Sequence, residues 1–487
     1  MRKSNLLSGI IICAAVIVLA AFSIRAEAAK GAKTLDSTFA VSARAALVDS
    51  ATVSFTANLP SIPASDDGIL YLYRLKTYEY TPTAGSELLG TSPASVAPAF
   101  SFALNHNTAN TRLYDKFVLC VKSGGAVTMI SYPQYIVNPE VLATHTHARK
   151  NHGKKGLIGT DSSNLFLDAP NQLAPSQCPR VVSVMNTGAN QTITNPYSRP
   201  ASFAAETHPV TQSYYMLNAS DAAGVTQLAQ KMEKYGAQAS NCDDWIIGNE
   251  VNVRQWNYMI WVSWDEYLRQ YEQAFRVCYT ALKSQNANCN VYICLDQNWD
   301  RNRAASHAEY YQYIDGKDFL DRFNADIAAT GNIDWGVAQH PYTVPLTYAK
   351  FWDMSGCPDG AYCANMINSN KMVSYQNLGV ITSYISQPQF ISPKGAVRHF
   401  ILSEIGVTNA QGDQVQAAGI CTAYMAAATN PYVEQILFSS ANHGSFDSTF
   451  TPLAQDMYNN MDGANAAAYQ ATALAIMGKS SFAEVIR

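Results

Sequence analysis

The hydrophobic pattern of the first part of the chain is that of short β-strands. From about residue 35 to 140, runs such as ATVSFTANLP and GILYLYRL alternate or cluster β-branched and aromatic residues between turn signals. The run KFVLCVKSGGAVTMIS predicts a hairpin with Ser123-Gly124-Gly125 at its turn. We therefore expect residues 35–140 to form a small all-β, sandwich-like domain.

Beyond Gly156 the pattern changes to short apolar runs separated by amphipathic segments. Continuous apolar runs of this length are typical of parallel strands covered on both faces. Seven such runs follow one another: KGLIG, RVVSVMN, DWIIGNE, NVYICLDQ, DWGVAQHPY, HFILSEIG and EQILFSSAN. Between them, Ser263 and Glu266 form an S-x-x-E capping box before an apolar stripe, which predicts a helix start. A second helix is expected after Asp221, with Gly236 at its C-terminal left-handed position.

The number of strand–helix units limits which folds the second part of the chain can adopt. Seven or eight strand–helix units within residues 156–487 match the size of a (β/α)8 barrel with insertions. An open, doubly wound sheet is the alternative, but no G-x-G-x-x-G turn follows a strand to bind a dinucleotide. We therefore predict the α/β class, with a (β/α)8 TIM barrel over residues 156–487 preceded by the all-β domain. The polar, basic segment 141–155 is the predicted linker, and its three histidines have no nearby Cys or carboxylate to complete a metal site.

The N-terminus has the pattern of a secretory signal peptide. Arg2 and Lys3 precede an apolar stretch, and an A-x-A cleavage signal ends at Ala28, so residues 1–28 are the predicted signal. An uncleaved membrane anchor is the alternative. No later segment has the roughly 18 uninterrupted apolar residues that a membrane span needs. We expect a protein that is secreted or periplasmic and makes no membrane contact after signal cleavage.

Composition narrows the class of ligand. Charged residues make up only 14% of the chain, tyrosine occurs 28 times, and the formal net charge is −4. Such a surface has no basic excess to neutralise a nucleic-acid backbone, and it suits neutral, hydroxyl-rich ligands. Nothing in the sequence indicates a cofactor, a metal site or an oligomeric state. Among the ten cysteines, Cys357 and Cys363 are the favoured disulfide pair of an exported chain, ahead of Cys278 and Cys289.

Polar residues follow the predicted strands at equivalent places. In a barrel, the C-terminal ends of the strands surround a common site, so these residues are expected to converge. In chain order, the strand ends carry Asn186, Asn249-Glu250, Asp296-Gln297 with Trp299, His340-Pro341-Tyr342, Ser403-Glu404, and Ser439-Ser440 with Asn442-His443. Two of these residues, Glu250 and Glu404, are glutamates on separate strands.

Two glutamates at a barrel mouth are the residues that glycoside hydrolysis uses. One carboxylic acid protonates the departing glycosidic oxygen, and a second carboxylate attacks the anomeric carbon or activates water. Glu250 and Glu404 lie three strand units apart, which makes the separation of about 5–5.5 Å found in retaining enzymes plausible. The alternative for either residue is a structural carboxylate in a buried ion pair. Trp299 is a candidate for stacking on a sugar face, with core packing as its alternative, and Asn186 is a candidate sugar-binding amide.

The runs WIIGNEVN, HPY and ILSEIG, in that order, resemble the clan A retaining glycoside hydrolases, which are TIM-barrel enzymes. In that clan the acid/base Glu follows an Asn at the end of strand four, and the nucleophile Glu ends strand seven. The resemblance implies that Glu250 is the acid/base and Glu404 the nucleophile. It also implies that Asn249 bonds the sugar hydroxyl next to the reacting carbon. His340 and Tyr342 match the strand-six pair, in which the Tyr bonds the nucleophile.

A closer resemblance is to a secreted family catalogued as domain of unknown function 5722. The likeness rests on GNEVN, W-x-V-A-x-HPY and ILSE, together with the β-rich N-terminal region, and it extends from about Lys155 to the C-terminus. One departure from the clan is that LFSSANHG lacks the strand-eight Trp that many clan members use as a sugar platform.

These observations predict a secreted retaining glycoside hydrolase that cleaves an oligo- or polysaccharide with two glutamates. The competing prediction is a carbohydrate-binding or surface barrel protein that has lost catalysis. A serine hydrolase is disfavoured because the barrel half has no G-x-S-x-G elbow. Metal-dependent hydrolysis is also disfavoured, because the histidines outside the linker are scattered along the chain.

Overall fold

The computed structural model describes residues 41–146, 149–151, 153–160, 178–187, 208, 210, 214–237, 242–302, 310–438 and 450–487. The predicted signal peptide, residues 1–28, and the polar segment Ser439–His443 lie outside these residues. The chain divides into two compact units. The first comprises residues up to Ile136 with Ala329–Gly331, and the second comprises Val137–Ala328 with Asn332–Arg487.

The first unit is all-β. Its strands are β1 (Ser42–Leu47), β2 (Thr52–Asn58), β3 (Ile69–Leu75), β4 (Leu88–Pro93), β5 (Ala99–Ala103), β6 (Lys116–Ser123), β7 (Ala126–Met129) and β8 (Gln134–Tyr135). They form two antiparallel sheets, β1-β2-β5 and β4-β3-β6-β7, with β8 added to β6. The ring of Phe102 on the first sheet lies 4.7 Å from that of Phe117 on the second. The predicted hairpin is confirmed: Ser123 pairs with Ala126 across two glycines with positive φ.

The second unit is built around parallel strands. These are β9 (Leu157–Thr160), β10 (Arg180–Val184), β13 (Asp244–Ile247), β14 (Asn290–Leu295), β15 (Gly336–Gln339), β16 (Phe400–Ile405) and β17 (Val433–Phe438), hydrogen-bonded in that order. A separate two-stranded ribbon joins β11 (Asn186–Thr187) to β12 (Tyr214–Tyr215). Each of the seven apolar runs recognised in the sequence overlaps one of the parallel strands.

Helices connect these strands and follow the last of them. They are α1 (Ala222–Gly236), α2 (Trp264–Gln285), α3 (Gly316–Ala329), α4 (Gly360–Asn368), α5 (Gly379–Ile385), α6 (Asp413–Thr429), α7 (Pro452–Asn460) and α8 (Ala466–Met477). Short 3₁₀ turns occupy Pro139–Leu142, Met354–Gly356, Pro388–Phe390 and Phe482–Glu484. The predicted helix starts are confirmed, because Ser263 accepts a hydrogen bond from the Glu266 amide and Asp221 accepts one from the Gly224 amide. None of the described helices is both long enough and apolar enough to cross a membrane.

The edges of the parallel sheet meet. The Gly156 amide donates to the Ile436 carbonyl at 3.2 Å, and the Ile436 amide donates to Lys154 at 2.7 Å, so the chain entering β9 pairs with β17. One interior layer takes a residue from every strand: Ile158, Val181, Ile246, Tyr292 with Cys294, Ala338, Ile401 and Leu437. The parallel α/β barrel is therefore confirmed. The count of eight strands is not, because the described barrel has seven and β10 pairs directly with β13.

Three local expectations need correction. The predicted linker is not a free connector, because the backbone of His145 pairs with Asn286 and that of Lys155 pairs with Ile436. Gly236 is the last residue of α1 and does not adopt a left-handed conformation. A Cβ there would lie 2.9 Å from the Cβ of Gln285, so the close approach of α1 to α2 explains this glycine.

The predicted disulfides are not formed, because all nine described cysteines are free thiols. Cys357 lies against the carbonyl of Pro358, with its Sγ 3.0 Å from that oxygen. Cys363 is buried in an apolar cluster with Val344 and Met366. Cys278 and Cys289, the second predicted pair, are each buried and are not joined by a disulfide.

Candidate active site

The segment after β13 turns sharply so that Glu250 projects at the C-terminal edge of the barrel. Gly248 has a φ of 79°, and a Cβ at this position would lie 2.7 Å from Oδ1 of Asn257 and 2.8 Å from Cγ1 of Val251. Only glycine fits such a position. Glu250 follows with a φ of 42°, and the next amide, of Val251, donates to the Cys294 carbonyl at 2.8 Å. The loop thus fixes the carboxylate between the ends of β13 and β14.

Glu404 is placed by an irregularity in β16. The register between β16 and β17 shifts between Leu402 and Ile405, and Glu404 within this interval has a φ of 55°. A non-glycine residue at positive φ is uncommon and strained, and such residues cluster at functional sites. Both candidate catalytic residues, Glu250 and Glu404, share this feature. Sequence patterns alone do not reveal it.

A single imidazole lies between the two carboxylates. Nδ1 of His340 is 3.0 Å from Oε1 of Glu250, and Nε2 is 3.4 Å from Oε2 of Glu404. Nε2 is also 3.1 Å from Sγ of Cys294. His340 is 2% exposed, whereas the side chains of Glu250 and Glu404 are 19% and 28% exposed. The histidine is therefore buried beneath two carboxylates that solvent can reach.

The surroundings of His340 favour its protonated form. Burial by itself lowers the pKa of an imidazole, but Cys294, Glu404 and Glu250 act in the opposite direction and together raise the pKa of His340 well above its usual value. An imidazolium can donate from both ring nitrogens, which suits acceptors on both sides. The site can therefore hold one proton between two carboxylates.

Two tyrosines face Glu404. The hydroxyl of Tyr342 donates to Oε1 of Glu404 at 3.3 Å, as the motif predicts for the strand-six tyrosine. Tyr214, on β12, is the second: burial and the charge of Glu404 raise the pKa of its hydroxyl. Its ring also lies 5.5 Å from that of Trp256 in the loop after β13. Tyr214 has no signal in the sequence, because the two-residue strand that carries it is too short to form a pattern.

The other predicted sugar-binding residues differ in what they offer. Asn249 is 8% exposed, and its side-chain amide makes no hydrogen bond to the described residues, so it is available to a ligand. The amide of Asn186 donates to the Met216 carbonyl at 3.3 Å and braces the β11–β12 ribbon. Trp299 is 4% exposed and packs edge-on against Tyr384. This environment favours the packing alternative for Trp299.

Asp296, also at a strand end, has a structural role. Its carboxylate accepts a hydrogen bond from the side-chain amide of Asn252 at 2.7 Å, and its own amide donates to Oδ1 of Asn252 at 3.0 Å. Asn298 contributes two further bonds to the same carboxylate. This exchange ties the loop after β13 to the end of β14.

The fold and the site together define a parallel α/β-barrel protein in which two glutamates meet a buried histidine at the C-terminal ends of the strands. The chain belongs to the family described as a family of unknown function (DUF5722), whose model matches residues 179–485. This confirms the closer of the two resemblances.

Several solved structures show a distant likeness to the chain. The catalytic domain of an Ignisphaera aggregans GH53 protein matches with 12% identity and a TM-score of 0.28, over 54% of this chain and 62% of that one. An endo-β-1,3-glucanase of GH128 from Sorangium cellulosum matches with 14% identity and a TM-score of 0.34, over 61% and 91%. A Paenibacillus polymyxa xyloglucanase of GH44 matches with 11% identity and a TM-score of 0.34, over 59% and 61%. Likenesses this weak assign no activity to the chain. A search of curated protein sequences finds no match.

Proposed function

We propose that the protein is an exported, retaining glycoside hydrolase that cleaves an oligo- or polysaccharide with Glu250 as acid/base and Glu404 as nucleophile. The observation that carries the proposal is the shared imidazole. Because Glu250 and Glu404 each lie within 3.4 Å of one ring nitrogen of His340, both carboxylates reach the same small space above the barrel. Paired carboxyl groups flanking one bond are what glycoside hydrolysis requires.

The proposed reaction has two displacements. In the first, a carboxylate oxygen of Glu404 bonds to the anomeric carbon while the bond from that carbon to the glycosidic oxygen breaks. Glu250 gives its proton to the departing oxygen. In the second, Glu250 takes a proton from water, the water oxygen bonds to the anomeric carbon, and Glu404 leaves as a carboxylate. Each residue ends as it began.

His340 supplies the proton balance for this cycle. The direct contact at 3.0 Å lets one proton pass between Nδ1 of His340 and Oε1 of Glu250. With the proton on Glu250, the residue is an acid; with the proton on His340, the imidazolium offsets the charge of both carboxylates. Tyr342 holds Glu404 in place for attack through its hydroxyl. A raised pKa of His340 keeps this shared proton bound to higher pH.

The substrate class follows from what the site and surface offer. Asn249 presents an amide that is free to bond a hydroxyl group, and half-buried aromatic rings at Tyr214 and Trp256 lie on the same side of the barrel as Glu404. The chain has few charged residues and many tyrosines. A neutral, hydroxyl-rich saccharide matches these features. Export through the N-terminal signal gives the enzyme access to polysaccharides outside the cell.

The test begins with the mature chain and a panel of polysaccharides and aryl glycosides. We expect cleavage by the wild type, and a loss of at least about 10³-fold in kcat in Glu404→Gln, since the nucleophile is removed. Glu434→Gln is a matched control, because Glu434 is similarly exposed, at 32%, but lies at the opposite end of a barrel strand. A 2-fluoro sugar carrying a good leaving group should label Glu404 covalently.

Two results would contradict the proposal. One is a wild type that binds saccharides from the panel without cleaving any of them, which is what the inactive binding protein predicts. The other is a product whose first-formed anomer is inverted, as seen by proton NMR, because retention requires two displacements.

A further inference from the structure

Cys294 occupies an unusual place in the barrel interior. It lies on β14, is fully buried, and belongs to the apolar layer that also contains Tyr292, Ala338 and Ile401. Within this layer, the hydroxyl of Tyr292 accepts a hydrogen bond from the side-chain amide of Asn290 at 3.3 Å. Cys294 instead points its sulfur at the polar site above the layer, where Sγ lies 3.1 Å from Nε2 of His340. The thiol therefore lies directly between the core and the catalytic groups.

The contacts of His340 indicate how the Cys294 thiol can restrain the imidazole ring. Nδ1 has one acceptor, Glu250, whereas Nε2 faces both Cys294 and Glu404. These three residues come from the ends of β13, β14 and β16. Among the described residues, Tyr342 is a further titratable neighbour, and its ring meets the imidazole edge-on with the ring centroids 6.3 Å apart. Of these neighbours, only Cys294 contacts the imidazole from within the barrel. It is thus placed to stop the ring from rotating away from either carboxylate.

We infer that Cys294 is a positioning residue that holds the imidazole of His340 against both glutamates and so keeps the shared proton on the Glu250–His340 pair. A thiol is both a weak donor and a weak acceptor, so it can contact Nε2 in either protonation state without competing strongly with Glu404. A methyl group at the same place would leave Nε2 without this polar contact. The kinetic consequence of this role rests on the proposed function, whereas its effect on the imidazole does not.

The kinetic test compares three variants. Cys294→Ala should move the basic limb of the pH profile of kcat/KM to lower pH by about one unit, which is about a tenfold loss on the alkaline side. Cys294→Ser keeps a polar group facing Nε2 and should restore most of the profile. Cys421→Ala is the matched control, because Cys421 is also fully buried but lies on helix α6. The Cys421→Ala variant should lose a comparable amount of stability, and the basic limb of its pH profile of kcat/KM should not move.

The second measurement needs no activity. The protein is labelled with ¹⁵N-histidine, and the ring nitrogens of His340 are assigned by comparison with His340→Asn. As the pH is raised, the imidazolium of His340 should lose its proton at a lower pH in Cys294→Ala than in the wild type. Cys294→Ser should resemble the wild type, and Cys421→Ala should match it. If the His340 titration in Cys294→Ala equals that in Cys421→Ala, or if Ser and Ala at position 294 shift it equally, the inference is overturned. An inactive wild type with the expected titration would refute the proposed function and leave the role of Cys294 standing.

Discussion

Nδ1 of His340 lies 3.0 Å from Oε1 of Glu250, so the proposed acid/base is in direct contact with a buried imidazole. The two groups are within hydrogen-bond distance, so in the proposed mechanism one proton can pass directly between them. The second carboxylate, Glu404, is 3.4 Å from the other ring nitrogen. The proposed catalytic unit is therefore a group of three residues whose charges depend on one another.

If Glu250 is the acid, the loss of kcat/KM on removing it should depend on the leaving group of the substrate. Glu250→Ala should lower kcat/KM by about 10²–10⁴-fold for a natural saccharide, whose departing alkoxide needs a proton. For an aryl glycoside with a strongly acidic phenol, the loss should be less than about tenfold, because this leaving group departs without protonation. Steady-state rates on both substrates measure the contrast. Equal losses on the two would show that Glu250 is not the acid.

The turn that presents Glu250 makes a prediction about Gly248. Gly248→Ala should lower the free energy of unfolding by about 1 kcal/mol for its left-handed backbone and by about another 1–3 kcal/mol for the clash with Asn257 and Val251. Activity should fall as well, because Glu250 moves with the turn. Urea unfolding and kcat/KM measure the two effects.

A second glycine provides the control for that substitution. Gly395 has a φ of 78°, nearly the same as Gly248, but a Cβ there would meet nothing within 4 Å. Gly395→Ala should therefore lose only the backbone contribution and keep full activity. If the two variants lose equal stability, the contact with Asn257 is not what requires glycine at position 248.

The strands and the strand-end glutamates could be predicted because of a single physical constraint. Strands covered on both faces are apolar over most of their length, so an apolar run that ends in several polar residues marks the end of a strand. Runs such as DWIIGNE and HFILSEIG therefore mark both a strand and its functional end. Parallel strands bring these ends to one edge, which is why Glu250 and Glu404 could be expected to converge.

The remaining features depend on contacts that the local sequence does not encode. Cys294 sits in an apolar run like any core residue, and only the packed structure reveals the imidazole above it. The segment 141–155 looks like a linker because it is polar, yet its backbone pairs with two distant parts of the barrel unit. The positive φ of Glu404 arises from a register shift against β17, which no pattern within β16 indicates.

The positive φ of Glu404 leads to a prediction about stability. Asn adopts positive φ more readily than other non-glycine residues, so Glu404→Asn should be more stable than Glu404→Gln by about 0.5–1 kcal/mol. Both variants remove the same charge, and neither should be active. The matched comparison is Glu434→Asn against Glu434→Gln, at an ordinary strand position, where Asn should confer no advantage. Thermal and urea unfolding of the four variants would decide the matter, and equal stability of Asn and Gln at position 404 would argue against strain.

Asp326 lies outside the site, and its raised pKa leads to a prediction about how the free energy of unfolding depends on pH. It lies on helix α3, and burial together with the neighbouring Glu272 raises its pKa to about 7, against the opposing charges of Arg269 and Arg322. In the unfolded chain an Asp has a pKa of about 3.9. Between these values the folded state binds more protons than the unfolded state, so this group lowers the free energy of unfolding as pH rises from about 4 to 7.

Asp326→Asn removes this titration. The variant should therefore be more stable than the wild type above pH 7, by about 1–2 kcal/mol once partial solvent exposure is allowed for, and the difference should vanish as pH falls towards 4. Glu272→Gln tests the cause, because losing the neighbouring charge should lower the pKa of Asp326 and flatten the wild-type slope over the same interval. Urea unfolding at several pH values between 4 and 8 measures both. A stability difference between Asp326→Asn and wild type that is independent of pH would mean that Asp326 is ionised throughout this range, and that Arg269 and Arg322 outweigh its burial.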